Sequence, residues 1–340
     1  MTMNRAAQAP ITRAANSIIN PVYTGFVAEV MPSDFGLSYQ KMFPRKTFKS
    51  NGDGRGYFRK RLHMDALRAL DDDQLIRTPG APAEKVDRGL ALQTFGVRRR
   101  HLDAVVVDDE ADLITRMEGG VSDPNVTEVK WVRELLFLHA ERRAAAFAAN
   151  NANVGGHTNP TKTYDDKTAD VVTDIIGAKL AIRKQCGMMA NKMSLTYEAA
   201  LALVQNEGVL KIRGITKDRD YTENGLATIL KQAFGFDEVR ILMSVYSPRR
   251  RNVNGEYSLA PVWGHDVIVY YEPAGGPDFA KMSWAVEGVD TFYYGGLDAG
   301  VYTFKSEDAE VTYHRVKEDS DFVLLNPECA FAIRDVLPAA

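Results

Sequence analysis

Hydrophobic and polar positions follow a helical spacing through the middle of the chain. Val129, Val132 and Leu136 recur at intervals of three and four residues, and a stretch rich in alanine follows, up to Asn150. This spacing predicts one helix over residues 125–150, about 39 Å long at about 1.5 Å per residue. No residue type or spacing in this helix is typical of a catalytic site.

The residues that flank this helix agree with those bounds. Pro124 favours the first turn of a helix, and Asn125 or Thr127 is the expected capping residue. Beyond Arg143 most side chains are alanine, and their small size lets another backbone approach closely. We therefore interpret the helix as a rigid structural element that packs against other elements, with Ala146 on a contact surface.

The second half of the chain predicts an alternation of helices and strands. Helices are expected at 168–186, between a capping Thr168 and a terminating Gly187, and at 197–208 and 224–235. A short strand, KMSLT, precedes the second of these helices. Runs of β-branched and aromatic residues then predict strands, in the order VRILMSVYS, DVIVYYEP, KMSWAVEG, TFYYGG, VYTFKS, AEVTYHRVK, DFVLLN and FAIRDVL.

The first 47 residues contain prolines at frequent intervals, and prolines break long helices. The same stretch carries large apolar side chains that a disordered tail would not need, among them Phe26, Phe35 and Phe43. We expect an extended arm that lies on another surface, such as a neighbouring copy of the chain.

Residues 48–103 predict a long hairpin. Strand-like pieces at 57–62 and 90–100 flank a polar middle that has too few apolar residues for a core of its own. An isolated hairpin is marginally stable in water, so this excursion is expected to project from the body and pack on a partner. Residues 104–124 predict a short connector. The acidic run of the hairpin is Asp71, Asp72 and Asp73.

Composition indicates an ordinary globular protein. A chain of 340 residues, 45% hydrophobic and 26% charged, is long for one core and sufficient for two. A net charge of −3 argues against a dedicated nucleic-acid binder, which usually has a basic face. Cys186 and Cys329 are too few for a disulfide framework or a four-thiolate metal site. No apolar run approaches the roughly 20 residues of a membrane span.

Motifs of enzymatic chemistry are absent from the sequence. It contains no GxSxG nucleophile elbow, no GxxxxGK phosphate loop and no HExxH metal helix. Gly52, Gly54 and Gly56 predict a tight turn, because a dinucleotide fingerprint needs a helix where this sequence predicts a strand. The histidines are scattered, so neither a metal nor a cofactor is expected.

Two triplets of consecutive arginines concentrate positive charge in the sequence. They are Arg98, Arg99, Arg100 and Arg249, Arg250, Arg251. Nucleic-acid contact is one interpretation, although no aromatic platform is interleaved with them. Pairing with acidic runs of a neighbouring subunit explains them at least as well.

The order of these segments resembles the Hong Kong 97 family, the major capsid proteins of tailed double-stranded-DNA bacteriophages. The segment ERRAAAFAANN resembles the end of the spine helix of that family. A helix–strand–helix succession, DIIGAKLAIRKQCGMMANKMSLTYEAALALVQNEG, and the segment NGLATILKQAFGFDEVRIL follow in the family's order. VWGHDVIVYYEP and FVLLNPECAFAIRDVL resemble its last strands. Ala190 stands where many members have proline.

The resemblance implies an α+β fold with the family's named parts. Residues 1–47 resemble the N-arm and 48–103 the projecting E-loop hairpin. Residues 104–165, with the spine helix at 125–150, resemble the P-domain. Residues 166–300 resemble the mixed α/β A-domain, and the closing strands in 301–340 are expected to divide between these two domains.

The resemblance also implies a structural function and no enzymatic activity. Copies are expected to form the hexamers and pentamers of an icosahedral shell around double-stranded DNA, through a procapsid that expands. Expected partners are further copies, a separate scaffold, a portal, decoration proteins and DNA bound non-specifically. The expected location is the virion, after assembly in the cytoplasm of a bacterial host.

Two alternatives stay open at the level of sequence. An encapsulin has the same fold and encloses cargo enzymes instead of DNA, and a more remote alternative is an α+β enzyme. If the chain is a capsid protein, the candidate assembly contacts are Phe26, Phe35, Phe43, Arg59, Arg61, Asp71, Asp72, Asp73, Arg98, Arg99, Arg100, Arg249, Arg250 and Arg251.

Overall fold

The computed structural model describes residues 19–31, 36–61, 90–109, 111, 113, 123–213, 221–247, 259–279, 281–306 and 310–338. Two mixed sheets and one long helix dominate these residues. The α-helices are α1 (Pro21–Glu29), α2 (Tyr39–Met42), α3 (Pro124–Ala149), α4 (Val171–Cys186), α5 (Tyr197–Gln205), α6 (Glu207–Arg213) and α7 (Glu223–Phe234).

The strands divide between the two sheets and two small ribbons. They are β1 (Arg45–Phe48), β2 (Arg55–Arg61), β3 (Leu90–Gly96), β4 (Arg98–Val107), β5 (Gly156–Thr158), β6 (Lys192–Thr196), β7 (Glu238–Leu242), β8 (Val245–Tyr246), β9 (Ala260–Pro261), β10 (Val267–Tyr270), β11 (Ala285–Asp290), β12 (Gly300–Ser306), β13 (Val311–Leu324) and β14 (Ala330–Ile333). Short 3-10 helices lie at Asn151–Asn153, Phe292–Tyr294 and Pro327–Cys329.

The long helix α3 agrees with the predicted bounds to within one residue at each end. The predicted capping residues, Asn125 and Thr127, are wrong. The N-cap is Asp123, which has an extended backbone directly before the helix and whose carboxylate accepts a hydrogen bond from the Asn125 N–H at 2.9 Å. Pro124 occupies the first turn, as predicted, and the helix ends before Asn150. The missing N–H of proline leaves no unsatisfied donor at that position.

The first sheet has the order β1-β11-β13-β12, with β4 also paired to β13. Residues 311–317 of β13 pair with both β12 and β4, so these two strands lie on opposite edges of β13. The N-terminal half of α3 covers this sheet: Val129, Val132 and Leu136 share a buried cluster with Ala104, Val301 and Val316.

The second sheet has the order β5-β14-β10-β6-β7 and packs against α4, α5 and α7. Gly187 and Gly235 end α4 and α7 in the left-handed conformation, as predicted, whereas α4 is capped by Asp170 instead of Thr168. Ala140, Ala144 and Ala148 of α3 belong to the same buried cluster as this sheet. The long helix therefore spans both cores, with its small side chains in the second one.

Strands β2 and β3 form the predicted hairpin, with Arg55 opposite Gly96 and Arg61 opposite Leu90. Gly52 and Gly54 have φ angles of 91° and 66°, so they form the predicted tight turn before it. At its base Phe58 packs on Val286, Val323 and Leu325 of the first sheet and the loop that follows it.

Several element predictions are wrong; VRILMSVYS, for instance, forms two strands, β7 and β8, that pair in different sheets. The arm is not extended throughout, because it forms α1 and α2 and then joins the first sheet as β1. The predicted connector 104–124 begins as the end of β4, and TFYYGG forms a 3-10 turn. AEVTYHRVK and DFVLLN are one strand, β13, because the polar residues between them are paired and buried instead of forming a loop.

Sheet membership does not follow the order of the segments along the chain. Strand β11 lies within residues 166–300 but pairs with β1 and β13 in the first sheet. Strand β14 follows β13 closely but pairs with β10 and β5 in the second. The two parts of the fold are thus tied together by several crossings of the chain.

Candidate assembly interface

The basic triplet on β4 lies directly opposite an acidic stretch of β13. Arg99 is paired in register with Asp319, and Arg100 with Glu318. The Arg99 guanidinium donates to both Asp319 oxygens, with two N–O distances of 2.9 Å, and lies over the Tyr293 ring at 4.3 Å. These two arginines therefore find acidic partners within their own subunit.

The third member of the triplet differs from its neighbours. The Arg98 side chain is 84% exposed, and its nearest carboxylate, Asp321, is 3.8 Å away. Arg100 in contrast is 15% exposed and donates to the Ser320 carbonyl and to Asp321. Of the three, Arg98 is the most exposed and has the longest contact with an acid of its own subunit, so it is the most available to a neighbouring subunit.

A buried group of charges lies beneath this surface and joins α3 to the first sheet. Arg133 of α3 is fully buried and donates to Glu318 of β13 at 2.5 Å and to Asp298 at 3.2 Å. Arg45 of β1 donates to Glu287 of β11 at 2.8 Å and to Asp298 at 2.5 Å. The group connects the arm, the long helix and two strands of the sheet.

Arg143 extends this group along the helix. It lies two to three turns after Arg133 and contacts Asp321 at 3.3 Å and Glu318 at 4.0 Å. Arg100 of β4 contacts the same Asp321. Through Arg143 and Arg100, the ion-pair group therefore extends from the long helix to β4, the strand that follows the hairpin.

The electrostatics of Glu318 follow from these neighbours. Burial alone raises the pKa of its carboxyl group, but the positive charges of Arg133 and Arg45 outweigh burial and lower the pKa to about 2. For Arg45, burial lowers the pKa of the guanidinium, but the neighbouring Glu287 carboxylate raises it. The pKa of Arg45 is raised on balance. Both groups are therefore charged near neutral pH.

The aromatic candidates of the arm have different surroundings. Phe26 is half-buried on α1, with the Lys130 ammonium 5.6 Å from its ring centre. Phe43 is fully buried, 5.5 Å from the Phe147 ring and 5.0 Å from the Trp284 ring. Phe43 therefore packs in the core of its own chain and offers no surface to a neighbour.

For the remaining candidate contacts, the structure describes no side-chain surroundings, so their role in assembly stays a prediction. Arg59 and Arg61 occupy β2 of the hairpin, opposite Leu92 and Leu90. The other candidates lie outside the described residues: Phe35, Asp71, Asp72, Asp73, Arg249, Arg250 and Arg251.

Two apolar surfaces were not found from the sequence. A groove of 220 Å³ between α4, α6 and the end of α7 is lined by Val172, Ile176, Leu180, Met189, Ile212 and Phe234. Trp131 of α3 is 53% exposed, on the side of the helix that also carries the half-buried Leu135 and Leu138. These three residues form a second apolar stripe at helical spacing. The sequence pattern did not reveal this stripe because its positions are interspersed with those of the buried stripe.

The part of the chain that the structure describes has neither a candidate metal centre nor a helix that could span a membrane. Within it, no group of three or more His, Cys, Asp or Glu side chains could hold a metal ion. No described helix has the length and hydropathy needed to cross a bilayer.

No protein-family model matches the sequence, and no curated protein matches it. Solved structures do match. A phage-related protein from Bordetella bronchiseptica RB50 is 20% identical, with a TM-score of 0.66 over 95% of this chain and 99% of that chain. The capsid structure of the cyanophage P-SCSP1u is 12% identical, with a TM-score of 0.50 over 87% of each chain.

A third match is the mature capsid of bacteriophage PhiM1, 9% identical, with a TM-score of 0.50 over 87% of this chain and 86% of that chain. At these identities the matches establish the fold. The chain has the Hong Kong 97-type capsid fold that its sequence resembles. The predicted resemblance to tailed-phage capsid proteins is thereby confirmed at the level of structure.

Proposed function

We propose that this protein is the major capsid protein of a tailed phage, and that many copies form the hexamers and pentamers of an icosahedral shell around double-stranded DNA. The observation that carries the proposal is the fold similarity to phage capsids, with a TM-score of 0.50 over 87% of this chain for the cyanophage capsid, together with the similarity to the phage-related protein over nearly the whole of both chains. The function is structural, with no enzymatic step.

The geometry fits a shell subunit that must be rigid in its centre and extended at its margins. The long helix joins both cores, and buried ion pairs fix it to the first sheet. The hairpin β2–β3 contacts the body at its base through Phe58. Exposed apolar groups such as Trp131 and Ile176 are typical of surfaces that another chain covers.

Within this proposal the parts of the chain take the roles of the family. Residues 1–47 act as the N-arm, 48–103 as the E-loop, 104–165 as the P-domain and 166–300, apart from β11 in the first sheet, as the A-domain, with 301–340 shared. A scaffold guides a procapsid, a portal admits DNA, and expansion follows. The modest negative charge of the chain suits a wall that must not bind packaged DNA tightly.

The test is the size and content of the particles. The purified chain is expected to form closed shells, or capsomers that close into shells, in electron micrographs and in size-exclusion chromatography. A protein that stays monomeric at every concentration and salt tested contradicts the proposal.

The content of particles isolated from the natural host distinguishes the two kinds of shell. Nuclease-resistant double-stranded DNA, together with a portal protein, is the expected result. Particles that instead contain one abundant cargo enzyme and no DNA support the encapsulin alternative.

A further inference from the structure

Glu141 is a fully buried acid in the C-terminal half of α3, apart from the ion-pair group at Arg133. Its carboxylate accepts five hydrogen bonds. Oε2 accepts from the Ser38 N–H at 3.1 Å and the Tyr39 N–H at 2.8 Å. Oε1 accepts from the Ser38 hydroxyl at 3.2 Å, the Ser244 hydroxyl at 2.6 Å and the Trp263 indole N–H at 2.6 Å.

All five donors are neutral groups, which distinguishes Glu141 from Glu318 and its arginines. A buried carboxylate needs several donors to offset the loss of hydration, and here two peptide N–H groups, two hydroxyls and one indole supply them. The arrangement is therefore specific to a carboxylate in this position. An apolar residue there would leave five buried donors without this acceptor.

The donors come from three segments that are far apart in sequence. Ser38 and Tyr39 begin α2, in the N-terminal segment. Ser244 follows β7 of the second sheet, and Trp263 precedes β10 of the same sheet. One side chain of the long helix thus holds the N-terminal segment and two loops of the second sheet at a single point.

Further contacts hold the residues on either side of Ser38 close to Glu141. Gly36 has a φ of 69°, and its carbonyl oxygen lies 3.5 Å from the Ser244 hydroxyl. Tyr39 and Phe43, which follow Ser38, are completely buried. The Glu141 contacts therefore fix residues 36–39 against Ser244 and Trp263 of the second sheet's loops.

We propose that Glu141 is a positioning residue for assembly: it registers the N-terminal segment, the long helix and the second sheet to one another, so that every subunit presents its N-terminal segment in the same direction. This inference rests on the proposed shell function, in which one chain must make equivalent contacts in many copies. Loss of the Glu141 contacts then disturbs the uniformity of the shell without removing the fold.

The variant Glu141→Gln tests this role because an amide has one acceptor oxygen and one donor NH2. If the NH2 group replaces Oε2, it faces the two peptide N–H groups of Ser38 and Tyr39. If it replaces Oε1, it faces the Trp263 N–H, while the two hydroxyls can rotate to accept. Either orientation sets donor against donor, so at least one segment is released.

Hydrogen exchange on unassembled subunits or capsomers measures that release directly. We expect amide exchange in Glu141→Gln to rise at least about tenfold in 36–43 or in 243–246 and 262–265, and to stay unchanged in α4. Glu134→Gln, the same substitution two turns earlier on the helix, is the matched control and should leave all these amides unchanged. Equal protection in Glu141→Gln and in the wild type overturns the proposal.

Trp263→Phe is the second variant, in case Glu141→Gln does not fold. It keeps an aromatic ring and removes one donor, so exchange is expected to rise in 262–265. Shells of either variant are expected to vary more in diameter than wild-type shells in electron micrographs. Variant shells as uniform as the wild type would overturn the role in assembly, whereas failure of the wild type to form shells would refute the proposed function itself.

Discussion

Arg133 of the long helix and Glu318 of β13 form an ion pair with an N–O distance of 2.5 Å, and the two side chains are 0% and 1% exposed. The pair stands 185 residues apart in sequence. It lies where the helix crosses the first sheet, so it fixes the axis of the helix relative to the strands. A buried pair is costly to desolvate, and its geometry must be maintained by further contacts.

Replacing one partner of this pair should therefore destabilise the subunit strongly. Arg133→Met keeps much of the apolar stem but leaves the Glu318 charge with fewer partners. We expect the free energy of unfolding to fall by about 3–5 kcal/mol, the usual loss when one member of a buried pair is removed. Urea unfolding of the unassembled subunit measures it. Lys211→Met, at a side chain that is 79% exposed, should change it by less than about 0.5 kcal/mol.

The same pair should make stability depend on acid pH. The pKa of Glu318 falls from an ordinary 4.5 to about 2 in the folded state, despite burial, because of Arg133 and Arg45. As pH falls below about 4.5 the unfolded state takes up the proton first, so this contribution is complete above about 4.5 and is lost towards pH 2. Its size is on the order of 3 kcal/mol.

Glu318→Gln separates this contribution from those of other acids. The difference in unfolding free energy between wild type and Glu318→Gln should shrink steadily between about pH 4.5 and pH 2. In an Arg133→Met background the same substitution should show a weaker dependence on pH, which a double-mutant cycle measures. A difference that does not vary over this range would show that Glu318 is not held ionised by its neighbours.

Local sequence patterns predicted the long helix, the hairpin, its turn and the order of most elements. They could not predict that Arg133 and Glu141 of one helix are buried, because their partners lie on distant segments. Polar residues such as Asp319 and Ser320 argue for a loop when considered alone, yet arginine pairing and strand contacts bury them within β13. Similarly, Phe43 has the hydrophobicity of a contact residue, and only the fold shows that its own core covers it.

The arginine triplet offers a test of contacts between subunits. Arg98→Glu changes a side chain that is 84% exposed and should leave the unfolding free energy nearly unchanged. If this side chain meets an acidic surface of a neighbour, shell yield should fall at least about tenfold at low salt, and salt should reduce the difference. Unaltered assembly of this variant would exclude Arg98 as a contact.

Arg99→Glu is the matched substitution one residue later. It sets a second carboxylate opposite Asp319, which now accepts hydrogen bonds from the Arg99 guanidinium at both of its oxygens. The expected effect is a loss of stability of about 1–2 kcal/mol in the isolated subunit, before any effect on assembly. Thermal unfolding, monitored by circular dichroism, should show this loss of stability for Arg99→Glu and not for Arg98→Glu.

The alanine-rich end of the long helix provides the last test. Ala146 is exposed on the described surface of the subunit, whereas Ala144, two residues earlier, is completely buried beside the second sheet. Ala146→Glu should therefore change the unfolding free energy by less than about 0.5 kcal/mol. Ala144→Glu places a charge in a packed core and should cost at least about 3 kcal/mol.

The two alanine variants then separate folding from assembly. If the exposed side of α3 meets another subunit, Ala146→Glu should give folded subunits that form few shells, because a carboxylate would be desolvated in that contact. Size-exclusion chromatography and electron microscopy of the folded variant measure the yield. Normal shells would show that Ala146 faces solvent in the assembled particle as well, and would restrict any contact on this side of the helix to its N-terminal half, which carries Trp131.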